Sequence, residues 1–552
     1  MPTNSHRHVE ALSRRHLANF RLSRIPHRFT DLLVIGSGIA GLATTVSASS
    51  VGAVEVILLT KAELAESSTN YAQGGVAAVL EPTNCDDSVS RHASDTLAAS
   101  GGLAEREIVE MVVREGVEAV EELIDIGARF DTLDGRIHFT QEGGHSRPRI
   151  LHKADRTGRE IVRVLLDRVR SLSNVVCLPE TFAIDLLVDD RTCCGALVQS
   201  PASGLEAIWA KEVVLATGGA GRLYRETTNP AVTTGDGIAM AYRAGATLRD
   251  MEFVQFHPTT LYVAGSDRFL ITEALRGEGG KLIDADGKPF MDRFHPSAEL
   301  APRDVVSRGI LQRMKETGDN KVYLDVSAIP PAQLEKRFPH VLGVCQDFGI
   351  DIRREPVPIR PSAHYTIGGV LVDTFGSTDV PGLFAVGEVS STGLHGSNRL
   401  GSNSLLEGLV FGRRAGTVAA SRALEDTRPF VTRYQPPREH GTRTAPTRHS
   451  ERFNLEDLER SLKSLLWHEV GVERTGSGLE NAKRQVEEWI SYLLPVTFDN
   501  PSGWRLQDML TTAILIIDAA LQREESRGVH YRSDFPETRS EWERHLDVKR
   551  VD

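Results

Sequence analysis

The stretch Asp31-Leu32-Leu33-Val34-Ile35-Gly36-Ser37-Gly38-Ile39-Ala40-Gly41 decides the fold. Its first five residues make a short, largely apolar run of the kind that forms a buried parallel strand. A G-x-G-x-x-G pattern follows at once, residues 42–50 are small and compatible with a helix, and Val54-Glu-Val-Ile-Leu-Leu59 offers a second strand. Strand, glycine turn, helix and strand together make a βαβ unit. Three physical tasks then fall to the glycines Gly36, Gly38 and Gly41: a tight turn, close approach of backbone to a pyrophosphate, and close packing of helix on strand, with the phosphate charge at the helix N-terminus. Alone the pattern is weak; flanked by strand and helix it predicts dinucleotide binding.

Two further buried strands run into glycine turns, Glu212-Val-Val-Leu-Ala216 into Thr217-Gly218-Gly219 and Gly382-Leu-Phe-Ala-Val386 into Gly387-Glu388. In open α/β sheets such carboxyl ends are where cofactors bind. The expected fold class is α/β, with a discontinuous Rossmann-like cofactor domain made from about 31–248 and 366–425. An α+β capping domain at about 249–365 is inserted into it as a substrate lid. Residues 427–450, rich in proline and arginine, read as a linker. Beyond them Leu455, Leu458, Leu462, Leu465 and Leu466 recur at helical spacing, so 451–552 is expected to be a helical domain. Residues 1–30 carry six arginines, four histidines and one acid, Glu10, and no apolar central region. A flexible extension on a cytoplasmic protein is the favoured reading, with an organelle address as the alternative.

A chain of 552 residues is long enough for two or three domains and a large bound cofactor. Its net charge of -11 argues against a general nucleic-acid-binding surface, yet is silent about a local cationic pocket. The cysteines Cys85, Cys177, Cys193, Cys194 and Cys345 have no C-x-x-C spacing and no histidine pair nearby, so neither a disulfide framework nor a metal site is suggested. Redox chemistry must then come from an organic cofactor. No apolar run approaches the ~18 residues that span a bilayer.

Ser67-Ser68-Thr69-Asn70-Tyr71-Ala72-Gln73-Gly74-Gly75 is a polar, glycine-ended run whose hydroxyl and amide groups suit a wrapped pyrophosphate and ring system, although a surface loop would read the same. The acid expected at the end of the second strand, to hold an adenosine ribose, is replaced by Thr60-Lys61. Lys61 either contacts the cofactor's ribose or phosphate region or is an exposed strand-end lysine. Asp236, in Thr234-Gly-Asp-Gly237, is either a cofactor contact or a turn acid.

Taken with Gly36–Gly41, Thr217–Gly219 and Gly387-Glu388, this run resembles the flavoprotein superfamily of succinate dehydrogenase, fumarate reductase and L-aspartate oxidase. The resemblance covers nearly the whole chain. Phe256-His257-Pro-Thr259, Thr272-Glu-Ala-Leu-Arg-Gly-Glu-Gly279, Leu300-Ala-Pro-Arg-Asp304, His364-Tyr-Thr366, Gly393-Leu-His-Gly396, Asn398-Arg399 and Glu525-Ser-Arg-Gly-Val-His530 occur in the family's order. The resemblance implies FAD along these segments, with Glu388 facing the ribityl chain and Ser404-Leu405 near the flavin ring. A four-carbon dicarboxylate carries two charges, and arginine is the natural planar partner of each. By the resemblance, Arg399 holds one carboxylate with His364 beside it, and His257 and Thr272 hold the other. Arg303 matches the family's active-site arginine, which gives or takes a proton in the reductases. Without that context His257 reads as a structural histidine, and Arg303 with Asp304 as a helix-starting ion pair.

Departures from the dehydrogenase pattern choose within the family. Ser68 stands where a histidine tethers the flavin in succinate dehydrogenase, so FAD is expected to be non-covalent. In Thr140-Gln-Glu-Gly-Gly-His145-Ser146, Glu142 would place a carboxylate at the substrate's C2 substituent, suiting an α-ammonium group; an exposed loop glutamate is the alternative. Nothing announces docking to an iron–sulfur partner. The resemblance then implies oxidation of L-aspartate to iminoaspartate, with dioxygen (giving hydrogen peroxide) or fumarate as acceptor. This is the first step of NAD biosynthesis, and it implies delivery of the unstable product to quinolinate synthase. The rival readings are a soluble fumarate reductase or succinate dehydrogenase flavoprotein subunit, and an FAD-binding protein that lost its chemistry.

Overall fold

The structure is a computed structural model that describes residues 12, 14–80, 86–266, 268–427 and 453–550. Its central sheet grows from the strand His27–Ile35, whose last four residues are all buried. That strand pairs in parallel with Val56–Leu59 on one side and Gly204–Leu215 on the other. Leu383–Ala385 pairs in parallel with Gly204–Leu215, although nearly 170 residues separate them, and Val175–Leu178 extends the other edge. Ile35 lies opposite both Leu59 and Leu215, and Leu215 opposite Ala385. The four strands therefore end level with one another, and the turns after them share one edge of the sheet. Phe182–Asp189 and Thr192–Ser200 complete the sheet as an antiparallel flank.

The helix Ile39–Ser49 crosses this edge and is covered by the long helix Asn403–Glu425. Gly408, Gly412 and Gly416, one turn apart, are the contact stripe. A Cβ on them would stand 2.7 Å from Ile39 Cγ2, 2.7 Å from the Ala40 carbonyl oxygen and 2.4 Å from the Thr44 carbonyl oxygen. Glycine here buys close approach of two helix backbones. The first turns of both helices thereby meet beside the sheet edge.

The insert forms an antiparallel sheet of Val254–Leu261, Val357–Thr366, Val322–Asp325 and Lys281–Ile283. The helices Arg303–Thr317, Pro331–Arg337 and Pro339–Asp347 belong to the same unit. It has its own apolar core, including Leu282, Ile310, Leu324, Phe338 and Ile359. Its two long strands are also the ones that enter and leave the cofactor domain, which puts His257 and His364 at the junction.

Leu455–Glu469, Gly476–Leu493 and Pro501–Gln522 are helical, and Leu462 and Leu466 of the leucine stripe are fully buried. The helical reading of 451–552 does not extend to the end. Residues after Gln522 fold back without further α-helix, and Asp547–Val548 pairs with Leu248–Arg249. Buried ion pairs hold this return: Arg523 bonds Glu252 at 2.6 Å and Glu525 at 3.0 Å. The free extension expected over 1–30 also differs from residue 14 onward. The Arg14 guanidinium donates to the Leu494 and Val496 carbonyls at the end of a helix, and the Leu17 N–H donates to Asp185 at 2.7 Å. Carbonyls at a helix end need donors, and Arg14 supplies them. The expected linker lies outside the described residues, save Thr427. Among the described residues no helix is long and apolar enough to cross a membrane, and no cluster of metal-ligating side chains occurs.

Candidate functional site

One continuous cavity runs along the sheet edge and under the cap. Gly36–Ala40, Leu59, Lys61, Ser67–Thr69 and Tyr71–Gly75 line it, as do Thr217, Gly218, Asp236, Glu388, Ser404 and Leu405. At its other end stand Glu142, His257, Thr272, Arg303, His364 and Arg399. Residues quoted from widely separated stretches of the sequence thus face a single space. Gly41 and Asn70 were also expected to bind, but neither faces it. A Cβ on Gly41 would stand 1.9 Å from the Gly36 carbonyl oxygen, so Gly41 packs the helix on the turn. The Asn70 N–H donates to the Ser67 carbonyl and shapes the loop.

The sheet-edge part is built from backbone. Gly36, at φ +115°, leaves no room for a side chain: a Cβ would meet the Ala216 carbonyl oxygen at 2.2 Å. Gly38 faces the cavity and is the N-cap of the helix Ile39–Ser49, with no side chain of its own, and the Ile39 N–H donates to Thr69 Oγ1 at 3.1 Å. Three buried polar atoms of this wall, Ser37 Oγ, Gln73 Oε1 and Thr217 Oγ1, have no hydrogen-bond partner in the protein. Buried polar groups are rarely left so, and their placement along the groove fits an extended polar ligand such as a dinucleotide. Lys61 is paired with Asp236 and also donates to Thr234, at 2.8 Å each. It therefore lines the groove as one half of an ion pair, mostly buried. Glu388 accepts the Thr366 N–H at 2.9 Å, and burial pushes its carboxyl up to about 7. The Ser68 hydroxyl lies 3.1 Å from Thr233 Oγ1.

The cap end is built from charge. Arg303 begins the helix Arg303–Thr317 and pairs with Glu273 at 2.7 Å, not with its neighbour Asp304, which pairs with Arg308 at 2.9 Å. Gln255 joins the two arginines, its Oε1 accepting from Arg303 at 3.3 Å and Arg399 at 3.1 Å. The Arg399 guanidinium lies over the Tyr365 ring, 4.4 Å from its centre, and donates to Ser404 Oγ at 2.7 Å. Burial, and Arg303 nearby, lower Arg399 to about 10, so it stays charged at neutral pH. His257 and His364 meet edge to face with ring centres 5.1 Å apart. Burial and the neighbouring arginines hold both well below the usual imidazole value, so both are neutral.

Glu142 is buried, 4% exposed, and is no surface loop residue. It accepts from Ser402 Oγ at 2.8 Å. An added Cβ on Gly401 would stand 2.8 Å from Glu142 Oε2 and 3.0 Å from Arg303 Nη2, so the carboxylate and the guanidinium converge there. Burial raises the Glu142 carboxyl, Glu273 raises it further, and Arg303 opposes them. Gln255, Tyr365 and Glu273 escaped the sequence reading. Glu273 and Tyr365 lie inside quoted motifs, next to Thr272 and His364, whereas Gln255 carries no signal beyond adjacency to Phe256.

Such a cavity, a backbone-lined groove opening on two buried arginines, has clear relatives. The family described as FAD binding domain matches residues 31–405, and fumarate reductase flavoprotein C-term matches 459–550. L-aspartate oxidase 1 of Ralstonia nicotianae is 43% identical, over 92% of this chain and 96% of the relative. L-aspartate oxidase of Mycobacterium leprae is 42% identical, over 95% of each. Among solved structures, an E. coli quinol fumarate reductase matches with a TM-score of 0.84 and 31% identity, covering 95% of this chain and 94% of that one.

Proposed function

Because this chain belongs to the L-aspartate oxidase family, within the succinate dehydrogenase and fumarate reductase flavoproteins, we propose that it binds FAD along the groove and oxidises L-aspartate to iminoaspartate at the cap end. FAD supplies the two-electron acceptor; the protein supplies binding, orientation and charge. Glycine turns and helix first turns would hold the pyrophosphate. Ser37, Gln73 and Thr217 would give their unpartnered atoms to the cofactor, and Glu388, Ser404 and Leu405 would lie along its ribityl and ring portions. FAD should leave with acid or heat denaturation, because Ser68 offers no imidazole for a tether. Flavin that stays with the precipitated protein would contradict this.

Arg399, with His364, would clamp one carboxylate of the substrate, and His257 with Thr272 the other. The positive charge comes from Arg399 and Arg303, since both histidines are neutral. Arg303 would move the proton, and its bond to Glu273, which lies 3.5 Å from Arg276, offers a buried path away from the site. One observation carries the choice of an amino acid over a bare dicarboxylate: the buried carboxylate of Glu142 in the same cavity as the two arginines. It would pair with the α-ammonium and stand uncompensated beside a methylene.

Dioxygen, giving hydrogen peroxide, or fumarate would complete the turnover. The imine hydrolyses readily, so quinolinate synthase is the proposed consumer, in the cytoplasm. The cap would act as a lid, and an orientation of the cap unchanged by a dicarboxylate would count against that. Anaerobic mixing of the yellow protein with L-aspartate should bleach the flavin, and succinate should do so far more slowly. Succinate as the faster reductant would favour the fumarate reductase or succinate dehydrogenase reading instead.

A further inference from the structure

Next to the Glu142 loop lies a buried polar cluster that touches neither the groove nor the two arginines. Arg149, 1% exposed, is its centre. It donates Nε and Nη2 to the two oxygens of Asp87, at 2.8 Å each, and Nη1 to Asp95 at 2.5 Å. Nη1 also lies 3.0 Å from His145 Nδ1. A guanidinium has only hydrogens to offer, so Nδ1 must be the lone-pair nitrogen and Nε2 must carry the proton. His145 Nε2 then donates to the Gly401 carbonyl at 3.0 Å. Burial, helped by Arg149, against which protonation would set an N–H, lowers the imidazole to about 4, although the Gly401 bond opposes this. At neutral pH it is a fixed, neutral donor.

The turn it grips is strained. Ser402 sits at φ +61°, a region that non-glycine residues rarely adopt. It is held from both sides, by His145 on Gly401 and by the Asn403 side chain, which bonds His92 at 2.9 Å and Thr96 at 3.0 Å. In this conformation the Ser402 hydroxyl reaches Glu142. The loop bearing Glu142 is tied to the same cluster, because Ser146 donates its N–H and hydroxyl to Asp95, both at 2.9 Å. Loop and turn therefore share one anchor, which backbone strain alone could not maintain.

We propose that His145 is a positioning residue for Glu142: fixed as the Nε2–H tautomer by Arg149, it holds the Gly401–Ser402 turn from which Ser402 donates to the Glu142 carboxylate. The effect is to oppose the rise that burial and Glu273 impose on the Glu142 carboxyl, and so to favour the carboxylate that can take an ammonium group. The charged groups acting on Glu142 are Arg303 and Glu273 from the cap and Arg399 from the segment after it, with Arg276 and Arg337 seen more weakly. Arg149 and its two aspartates act on it through His145 and the turn. The proposal rests on the reading of Glu142 as the ammonium partner.

The sign follows from the bond. A donor to the ionised form lowers a carboxyl's pKa, so losing it raises the pKa, and activity that needs the carboxylate is lost at a higher pH as the solution is acidified. His145→Phe keeps the volume and removes the donor, whereas His145→Gln keeps an N–H for Gly401. In the FAD-loaded enzyme, the acid limb of kcat/KM for L-aspartate should move up by roughly one pH unit in His145→Phe, the size expected for one hydrogen bond to a charged group. His145→Gln should stay near the wild-type limb, and fumarate reduction by the reduced enzyme should shift in neither variant. Ser402→Gly, which removes the hydroxyl and relieves the φ, should move the limb as His145→Phe does and is the variant to read if His145→Phe fails to fold. An acid limb that stays put in these variants, or that moves equally in His145→Gln, overturns the positioning role. If Glu142→Gln itself leaves the preference for L-aspartate over fumarate untouched, the reading of Glu142 fails, which is a separate result.

Discussion

The two ends of the cavity are made in opposite ways. At the sheet edge the wall is largely glycine backbone, at Gly36, Gly38, Gly74 and Gly218 beside the ends of four level strands, with hydroxyl and amide side chains such as Ser37, Gln73 and Thr217, and its charges are Glu388 and the Lys61–Asp236 pair. Under the cap it is side-chain charge, with Arg303, Arg399, Glu142 and Glu273 all buried. A cofactor that stays bound through every turnover can be held largely by shape and partial charges, which cost less to bury than full charges do. A dianion that must enter, react and leave needs full charges, and burying those requires partners for each: Gln255 and Glu273 for Arg303, Tyr365 and Ser404 for Arg399, Ser402 for Glu142. Substitutions at the two ends should therefore fail differently.

The largest effect belongs to Arg303. Arg303→Gln should lower kcat/KM for L-aspartate at least about a thousandfold, because it removes both a charge on the developing transition state and the proton carrier. Its flavin content should stay full. A variant that loses its flavin together with its activity would erase the division between the ends. At the other end Gly41→Ala should cost about 1–3 kcal/mol of stability through overpacking against the Gly36 carbonyl, and its purified protein should carry little FAD. Denaturant unfolding and the ratio of flavin to protein absorbance measure both. Full flavin content in Gly41→Ala would mean that the turn can move without losing the cofactor.

The same contrast explains what could be read from the chain. The cofactor end was legible because its parts are contiguous: strand, Gly36–Gly41 and helix follow one another, and glycine spacing carries the geometry. The substrate end is gathered from residues 142, 257, 272, 303, 364 and 399, whose meeting no local pattern predicts; only the ordered family motifs pointed to it. Gln255 and Tyr365 act as a bridge and a platform, roles that depend on what lies across the fold. The glycine stripe Gly408, Gly412 and Gly416 went unread because helix contact, not a turn, explains it. Arg523, which no motif singles out, is fully buried between the carboxylates of Glu252 and Glu525. The leucine spacing therefore predicts helix to the end of the chain, whereas ion pairs and a short strand pairing fold the last residues back at the junction of cofactor domain and cap. The packing of residues 14–20 depends on carbonyls at a distant helix end that a sequence does not display.

The smallest of these effects is the most selective, and it tests directly whether the charged end of the cavity chooses an amino acid. Two opposite charges about 4 Å apart attract by on the order of 4 kcal/mol at an effective dielectric near 20, before desolvation is subtracted. Glu142→Gln keeps the shape and removes the charge. Its kcat/KM for L-aspartate oxidation should fall at least about tenfold, roughly 1.4 kcal/mol, whereas fumarate reduction by the reduced enzyme should change far less, since fumarate brings no ammonium. Measured side by side on one preparation with full flavin, a selective loss of aspartate oxidation is the result expected. Equal losses in both reactions would make Glu142 a structural or flavin-positioning residue and contradict the account.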